Sequence, residues 1–268
     1  MLRVKPFDQE CRVKEQKNYR SLGCRDCVGR AGLDFDFSMA FQPIVNIRTR
    51  EVFAYEALVR GMQNESAAAV FTHVNEDNRY RFDQSCRVKA VKLAAELGMQ
   101  AMLSINFMPN AVYRPELCIR TTLDAAETYG FPIDRIMFEI TEGERVDDLP
   151  HLRSIVEHYR QRGFKTAIDD FGAGYAGLNL LAEIRTDLIK LDMALIRDID
   201  SDRVRQAIIR GILQVCTELS TAVIAEGVET HAELAVLQSF GIELFQGYLF
   251  ARPAFEALPA VSAAAFGD

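Results

Sequence analysis

The chain has 268 residues, 49% of them hydrophobic, enough for one large domain with a substantial core or for two small ones. A formal net charge of -7 argues against a binder of polymeric nucleic acid, because phosphate backbones are held mainly by a surplus of Lys and Arg. There is no uninterrupted apolar stretch long enough to span a bilayer, and Met1-Leu2-Arg3-Val4-Lys5 lacks the apolar core of a secretory signal. A cytoplasmic protein without membrane insertion is therefore expected, with its six cysteines as reduced thiols.

Residues 1–37 read as an appended segment. Their first 30 positions hold eight Lys or Arg against four Asp or Glu, with little apolar periodicity. Cys11, Cys24 and Cys27 include a Cys-x-x-Cys pair and offer three thiolates to Zn2+ or another metal, with a redox switch and incidental thiols as the other readings. No recognisable sensor precedes the regular pattern. Input is expected through this segment, an unidentified signalling partner or dimerisation.

The regular pattern occupies residues 38–258 and leaves 259–268 as a C-terminal tail. It opens with Met39 to Val45 and Glu51 to Val59 around a polar five-residue connection, a β-hairpin. Strand-like runs follow at Ala101 to Phe107, Arg135 to Thr141, Phe164 to Asp170, Asp187 to Asp192, Ala222 to Glu226 and Glu243 to Gly247. Between them lie helical segments at Arg81 to Leu97, Leu117 to Tyr129, Leu149 to Arg162, Asp202 to Leu219 and His231 to Phe240, four of them followed by a glycine. Eight strands with repeated crossovers fit an α/β fold of the TIM-like (β/α)8 barrel type, although a doubly wound sheet gives a similar string. Five residues cannot make a parallel crossover, so one strand of the opening hairpin must run antiparallel.

A polar residue sits at or near the end of most of these apolar runs: Gln42, Glu56, Arg60, Asn106, Glu139, Asp169 with Asp170, Lys190, Glu226 and Gln246. Any one of these carboxylates alone reads most simply as a helix cap, a salt-bridge member or a solvated group. Their recurrence at strand ends, where barrels of this kind place their chemistry, argues for convergence on ligands that offset the cost of burial. Asp169 and Asp170 can reach one site only at a strand end that leads into a turn. With Glu56, Asn106, Glu139 and Glu226 they form an oxygen-rich set that suits two Mg2+ or Mn2+ ions over structural zinc. Such a pair activates water and stabilises a phosphoryl transition state, and Lys190 suits the orientation of that water. An aldolase-like Schiff-base lysine and an enolase-like magnesium site are weaker alternatives.

Gly172-Ala173-Gly174-Tyr175-Ala176-Gly177 matches a dinucleotide fingerprint, with Asp192 at a suitable distance. Asp169 and Asp170 would then set two anions beside a pyrophosphate, late in the chain, so a mobile loop is the preferred reading.

Glu56-Ala57-Leu58-Val59-Arg60-Gly61, preceded by Phe41-Gln42-Pro43-Ile44-Val45, resembles the EAL family of cyclic di-GMP phosphodiesterases. In family order follow Asn106 before Pro109, Phe138-Glu139-Ile140-Thr141-Glu142, Asp169-Asp170-Phe171-Gly172, Lys190-Leu191-Asp192, Glu226-Gly227-Val228-Glu229 and Gln246-Gly247-Tyr248. The resemblance spans about residues 38 to 255, with Met108 as a local departure attributable to packing. It implies one metal on Glu56, Asn106, Glu139 and Asp169, and a second on Asp169, Asp170 and Glu226. It also implies a lysine, Lys190, at the nucleophilic water, with Gln42 and Arg60 on the substrate side. Glu142 matches a residue that anchors the mobile loop, while Asp192, Glu229 and Gln246 match loop or supporting groups. The implied reaction is hydrolysis of cyclic di-GMP to linear pGpG by a homodimer. The rival is a catalytically silent cyclic di-GMP receptor or protein-interaction module, from which the intact ligand set distinguishes this chain.

Overall fold

The computed structural model describes residues 33–112, 114–141, 148–173 and 177–266. Cys11, Cys24, Cys27 and Glu142 lie outside the described residues. Nine strands form one sheet: β1 (Ser38–Asn46), β2 (Glu51–Arg60), β3 (Met102–Phe107), β4 (Ile136–Thr141), β5 (Lys165–Phe171), β6 (Leu188–Leu191), β7 (Ala222–Ala225), β8 (Leu244–Gln246) and β9 (Ala254–Phe255). The helices are α1 (Ala67–Phe71), α2 (Arg79–Glu96), α3 (Pro115–Cys118), α4 (Arg120–Tyr129), α5 (Leu149–Gln161), α6 (Gly177–Glu183), α7 (Met193–Ile196), α8 (Arg203–Leu219) and α9 (His231–Ser239). Among the described residues no helix is long and apolar enough to cross a membrane.

β2 to β8 pair in sequence order and in parallel, and β1 closes the ring by pairing antiparallel with both β2 and β8. The result is an eight-stranded (β/α)8-type barrel whose antiparallel member is β1, as the short hairpin connection requires. β9 adds to β1 outside the ring through Ala40 and Phe41, a strand that two residues cannot announce in sequence.

Packing reaches beyond the sequence boundaries at residues 38 and 258. Leu33 and Phe37 are buried in the core ahead of β1, and Phe35 stacks on His73. At the other end Val261, Ala265 and Phe266 pack against the same core, and Tyr55 Oη donates to Pro259 O at 3.2 Å. The stretches 33–37 and 259–266 thus belong to the packed body of the barrel.

Most of the apolar core lies between the sheet and its helices, while a smaller cluster of Ile44, Ala54, Met137, Ala167, Leu188, Ile224 and Leu244 fills the barrel interior. On β2 and β4 to β8, the residue two positions further along the strand direction is Glu56, Glu139, Asp169, Lys190, Glu226 or Gln246. Residues at i and i+2 share one face of the sheet, so each of these runs supplies one side chain to an apolar plug and the next to a polar layer above it. β1 runs the other way and reaches that layer with Gln42, two residues before Ile44 and in register with Glu56.

Candidate active site

Lys190 is the centre of the polar layer. It is 1% exposed, and its Nζ lies 2.7 Å from Glu226 Oε1, 2.8 Å from Glu139 Oε2, 2.9 Å from Asp169 Oδ1 and 3.4 Å from Glu56 Oε2. Burial alone would depress its pKa, but these acids hold it well above the usual lysine value. One ammonium does not balance them. Burial, then the nearby Glu56 charge, pushes Glu139 well above the ordinary carboxylate range, against the pull of Lys190. Burial likewise pushes Glu226 up to about 8 despite Lys190. For Asp170, burial followed by repulsion from Asp169 and Asp192 gives a value of about 6.

Glu56 behaves differently because it is clamped. Burial would raise its pKa, but Lys190 and hydrogen bonds from Gln246 and Asn106 hold it below the ordinary value. Asn106 Nδ2 donates to Oε1 at 2.8 Å and Gln246 Nε2 to Oε2 at 2.7 Å. Gln246 also reaches Gln42 Oε1 at 3.3 Å, and Gln42 Nε2 donates to Ala251 O at 3.2 Å. The order of site residues around the barrel therefore continues through side-chain hydrogen bonds across its closure.

The consecutive aspartates reach one site through a backbone irregularity. Between Ile168 and Phe171 the register of β5 on β6 shifts, and Asp170 takes a φ of 54°. Asp tolerates the left-handed region better than most residues, and here the turn brings neighbouring side chains to the same side. Two carboxylate triads result, Glu56 with Glu139 and Asp169, and Asp169 with Asp170 and Glu226, each with oxygens within 4.8 Å of one another. They share Asp169. The five acids around Lys190 are an oxygen donor set that fits hard divalent cations, whose charge would offset the cost of burying these carboxylates and then their mutual repulsion.

Other expected site residues lie further out. Arg60 has the inward parity of Glu56 at the end of β2, but its Nη1 donates to Val59 O at 2.7 Å and takes no part in the cluster. Asp192 caps α7 by accepting from Ala194 N at 2.8 Å. Glu229 pairs with Arg197 at 3.0 Å, and Arg197 also lies 3.7 Å from Glu233, which accepts from the Glu229 and Thr230 backbone at the start of α9.

Ser104 is a contributor that the sequence reading missed. Its hydroxyl donates to Glu139 Oε1, and it sits two residues before Asn106 on the inward face of β3. That spacing is the available sequence signal. A buried ion pair between Arg87 and Asp83, 2.7 Å apart, was also unforeseen. Arg87 donates to Tyr159 Oη at 2.9 Å, while Asp83 Oδ1 accepts from Met108 N at 3.0 Å, fixing the backbone two residues beyond Asn106.

A family model described as the EAL domain matches residues 29–253. The chain belongs to the EAL domain family. A standalone EAL protein from Vibrio cholerae O395, solved in a c-di-GMP bound form, is 61% identical with a TM-score of 0.85, covering 88% of this chain and all of that one. BlrP1 of Klebsiella pneumoniae, solved as a manganese/cy-diGMP complex, is 37% identical with a TM-score of 0.78, over 82% of this chain and 56% of that one. Among curated relatives, the blue light- and temperature-regulated antirepressor BluF of Escherichia coli is 33% identical over 83% of this chain and 56% of its own length. The cyclic di-GMP phosphodiesterase PdeR of the same organism is 40% identical over 49% of this chain and 19% of its own. The chain thus spans about half the length of BluF and less of PdeR.

Proposed function

We propose that this EAL domain hydrolyses cyclic di-GMP to linear pGpG with two divalent cations, Mg2+ or Mn2+. The observation that carries the proposal is the pair of inward-facing carboxylate triads that share Asp169 around Lys190. Glu56, Asn106, Glu139 and Asp169 would hold one cation, and Asp169, Asp170 and Glu226 the other. When bound, such ions supply a water of lowered pKa and neutralise charge at the phosphodiester.

Lys190, held among Glu56, Glu139, Asp169 and Glu226, would donate a hydrogen bond to that water and orient it. Gln42, fixed between Gln246 and Ala251 O, and Arg60 at the rim are the substrate-side groups, Arg60 with a charged fork suited to phosphate. Gln246 keeps Glu56 ionised and aimed, while Asp192 and Glu229 hold the loops after β6 and β7. Glu142 is assigned the anchoring of the loop after β5. The c-di-GMP-bound structures of the Vibrio and Klebsiella proteins and the similarity to the cyclic di-GMP phosphodiesterase PdeR support the substrate. A homodimer is part of the proposal, with its contact on surfaces near the loop after β5.

The similarity to BluF, an antirepressor, favours a second reading, a cyclic di-GMP receptor that acts through protein contacts. Incubating purified protein with cyclic di-GMP and Mg2+ or Mn2+, followed by chromatography, separates the two. Linear pGpG is expected, with product lost on chelation and in folded Glu56→Ala and Lys190→Ala variants. Binding without product under both metals would establish the receptor reading instead.

A further inference from the structure

The one-turn helix α7, immediately beyond Lys190 and Asp192, is pressed between the two loops that carry the second carboxylate triad. On one side lies Gly172, two residues after Asp170 and at φ 101°, where an added Cβ would sit 2.4 Å from Leu195 Cδ1. On the other lies Gly227, the residue after Glu226 and at φ 67°, where an added Cβ would sit 2.3 Å from Met193 Cβ. At Gly227 the space is filled by Met193 Cα and Cβ of α7 itself, and at Gly172 by the tip of the Leu195 side chain.

Backbone bonds join the same three segments. Asp192 N donates to Phe171 O at 3.2 Å, and Glu226 N donates to Leu191 O at 3.1 Å. The helix itself is held by the Asp192 cap at one end and by fully buried Ile196 at the other. The first triad is supported differently, by hydrogen bonds from Asn106, Gln246 and Ser104, none of which comes from α7.

We propose that α7 is a wedge that sets the spacing between Asp170 and Glu226, with Leu195 as the positioning residue that determines how tightly the second cation is held. This rests on the two-cation reading above and adds a residue outside the ligand set that acts on one subsite only. A substitution at Gly172 or Gly227 would strain the backbone at positive φ, so the informative changes are on the helix side.

The test is calorimetric titration of Mn2+ into the full chain, with thermal unfolding in chelator as the control for fold. Wild type is expected to bind two ions. Leu195→Ala is expected to weaken the second by about tenfold or more, the usual scale for losing a group that orients a ligand, and to leave the first unchanged. Leu195→Met, which refills the space over Gly172, is expected to restore the wild-type pattern. An unchanged second ion in Leu195→Ala, or equal weakening of both, would overturn the wedge. If Leu195→Ala does not fold, Leu195→Val is judged by the same criteria. Fewer than two ions in wild type would instead overturn the two-cation reading, a failure visible before any variant is compared.

Discussion

The plug and the polar layer inside the barrel are built by the same strands, two residues apart, and their energetics are opposite. Met137, Leu188, Ile224 and Leu244 bury apolar surface in the plug, each contributing about 1.5–3 kcal/mol. Two residues further along those strands stand Glu139, Lys190, Glu226 and Gln246, whose charged members cost several kcal/mol per ion to bury unless paired. The strand register is fixed by the plug and by the helices outside, and that fixed register holds the acids together against their own repulsion. Stability below is what permits strain above.

The largest expected effect comes from breaking the upper layer at its centre. Lys190→Met leaves several buried carboxylates facing one another, and without metal it is expected to lower stability by about 3 kcal/mol or more near pH 8, measured by denaturant unfolding. The deficit should shrink on acidification. Glu226 and Asp170 already have pKa values raised to about 8 and about 6, so falling pH protonates them and removes the repulsion that Lys190 offsets. A deficit that is constant from pH 8 to pH 5 would mean that Lys190 acts by packing alone.

Truncating the lower layer should give the complementary result. Met137→Ala is expected to cost about 2–5 kcal/mol through the cavity it leaves, while Mn2+ binding by the folded fraction stays as in wild type. Lost ion binding with an intact fold would show that plug and site are not separable in this way.

The barrel was legible because each strand announces itself twice, by its apolar run and by the polar residue near its end. The convergence of Glu56, Asn106, Glu139, Asp169, Lys190, Glu226, Gln42 and Gln246 followed from that pattern once the strands closed into a ring. What escaped the sequence was short or conditional on packing. The helices α1, α6 and α7 have five, seven and four residues, too few to show a period or to be stable alone, and tertiary contacts hold them. Ser104 is hidden inside the apolar run Met102 to Phe107 because a lone hydroxyl carries little signal until Glu139 is placed beside it. Arg60 has the right parity, but its rotamer places the guanidinium on Val59 O. Asp170 reaches the site through a positive φ that composition alone does not encode.

The central claim, that the polar layer is a two-cation site, is tested most directly by anomalous diffraction from crystals grown with Mn2+. Two peaks about 3.5–4 Å apart are expected, one among Glu56, Asn106, Glu139 and Asp169 and the other among Asp169, Asp170 and Glu226. A lone peak, or none within reach of Asp169, would contradict it.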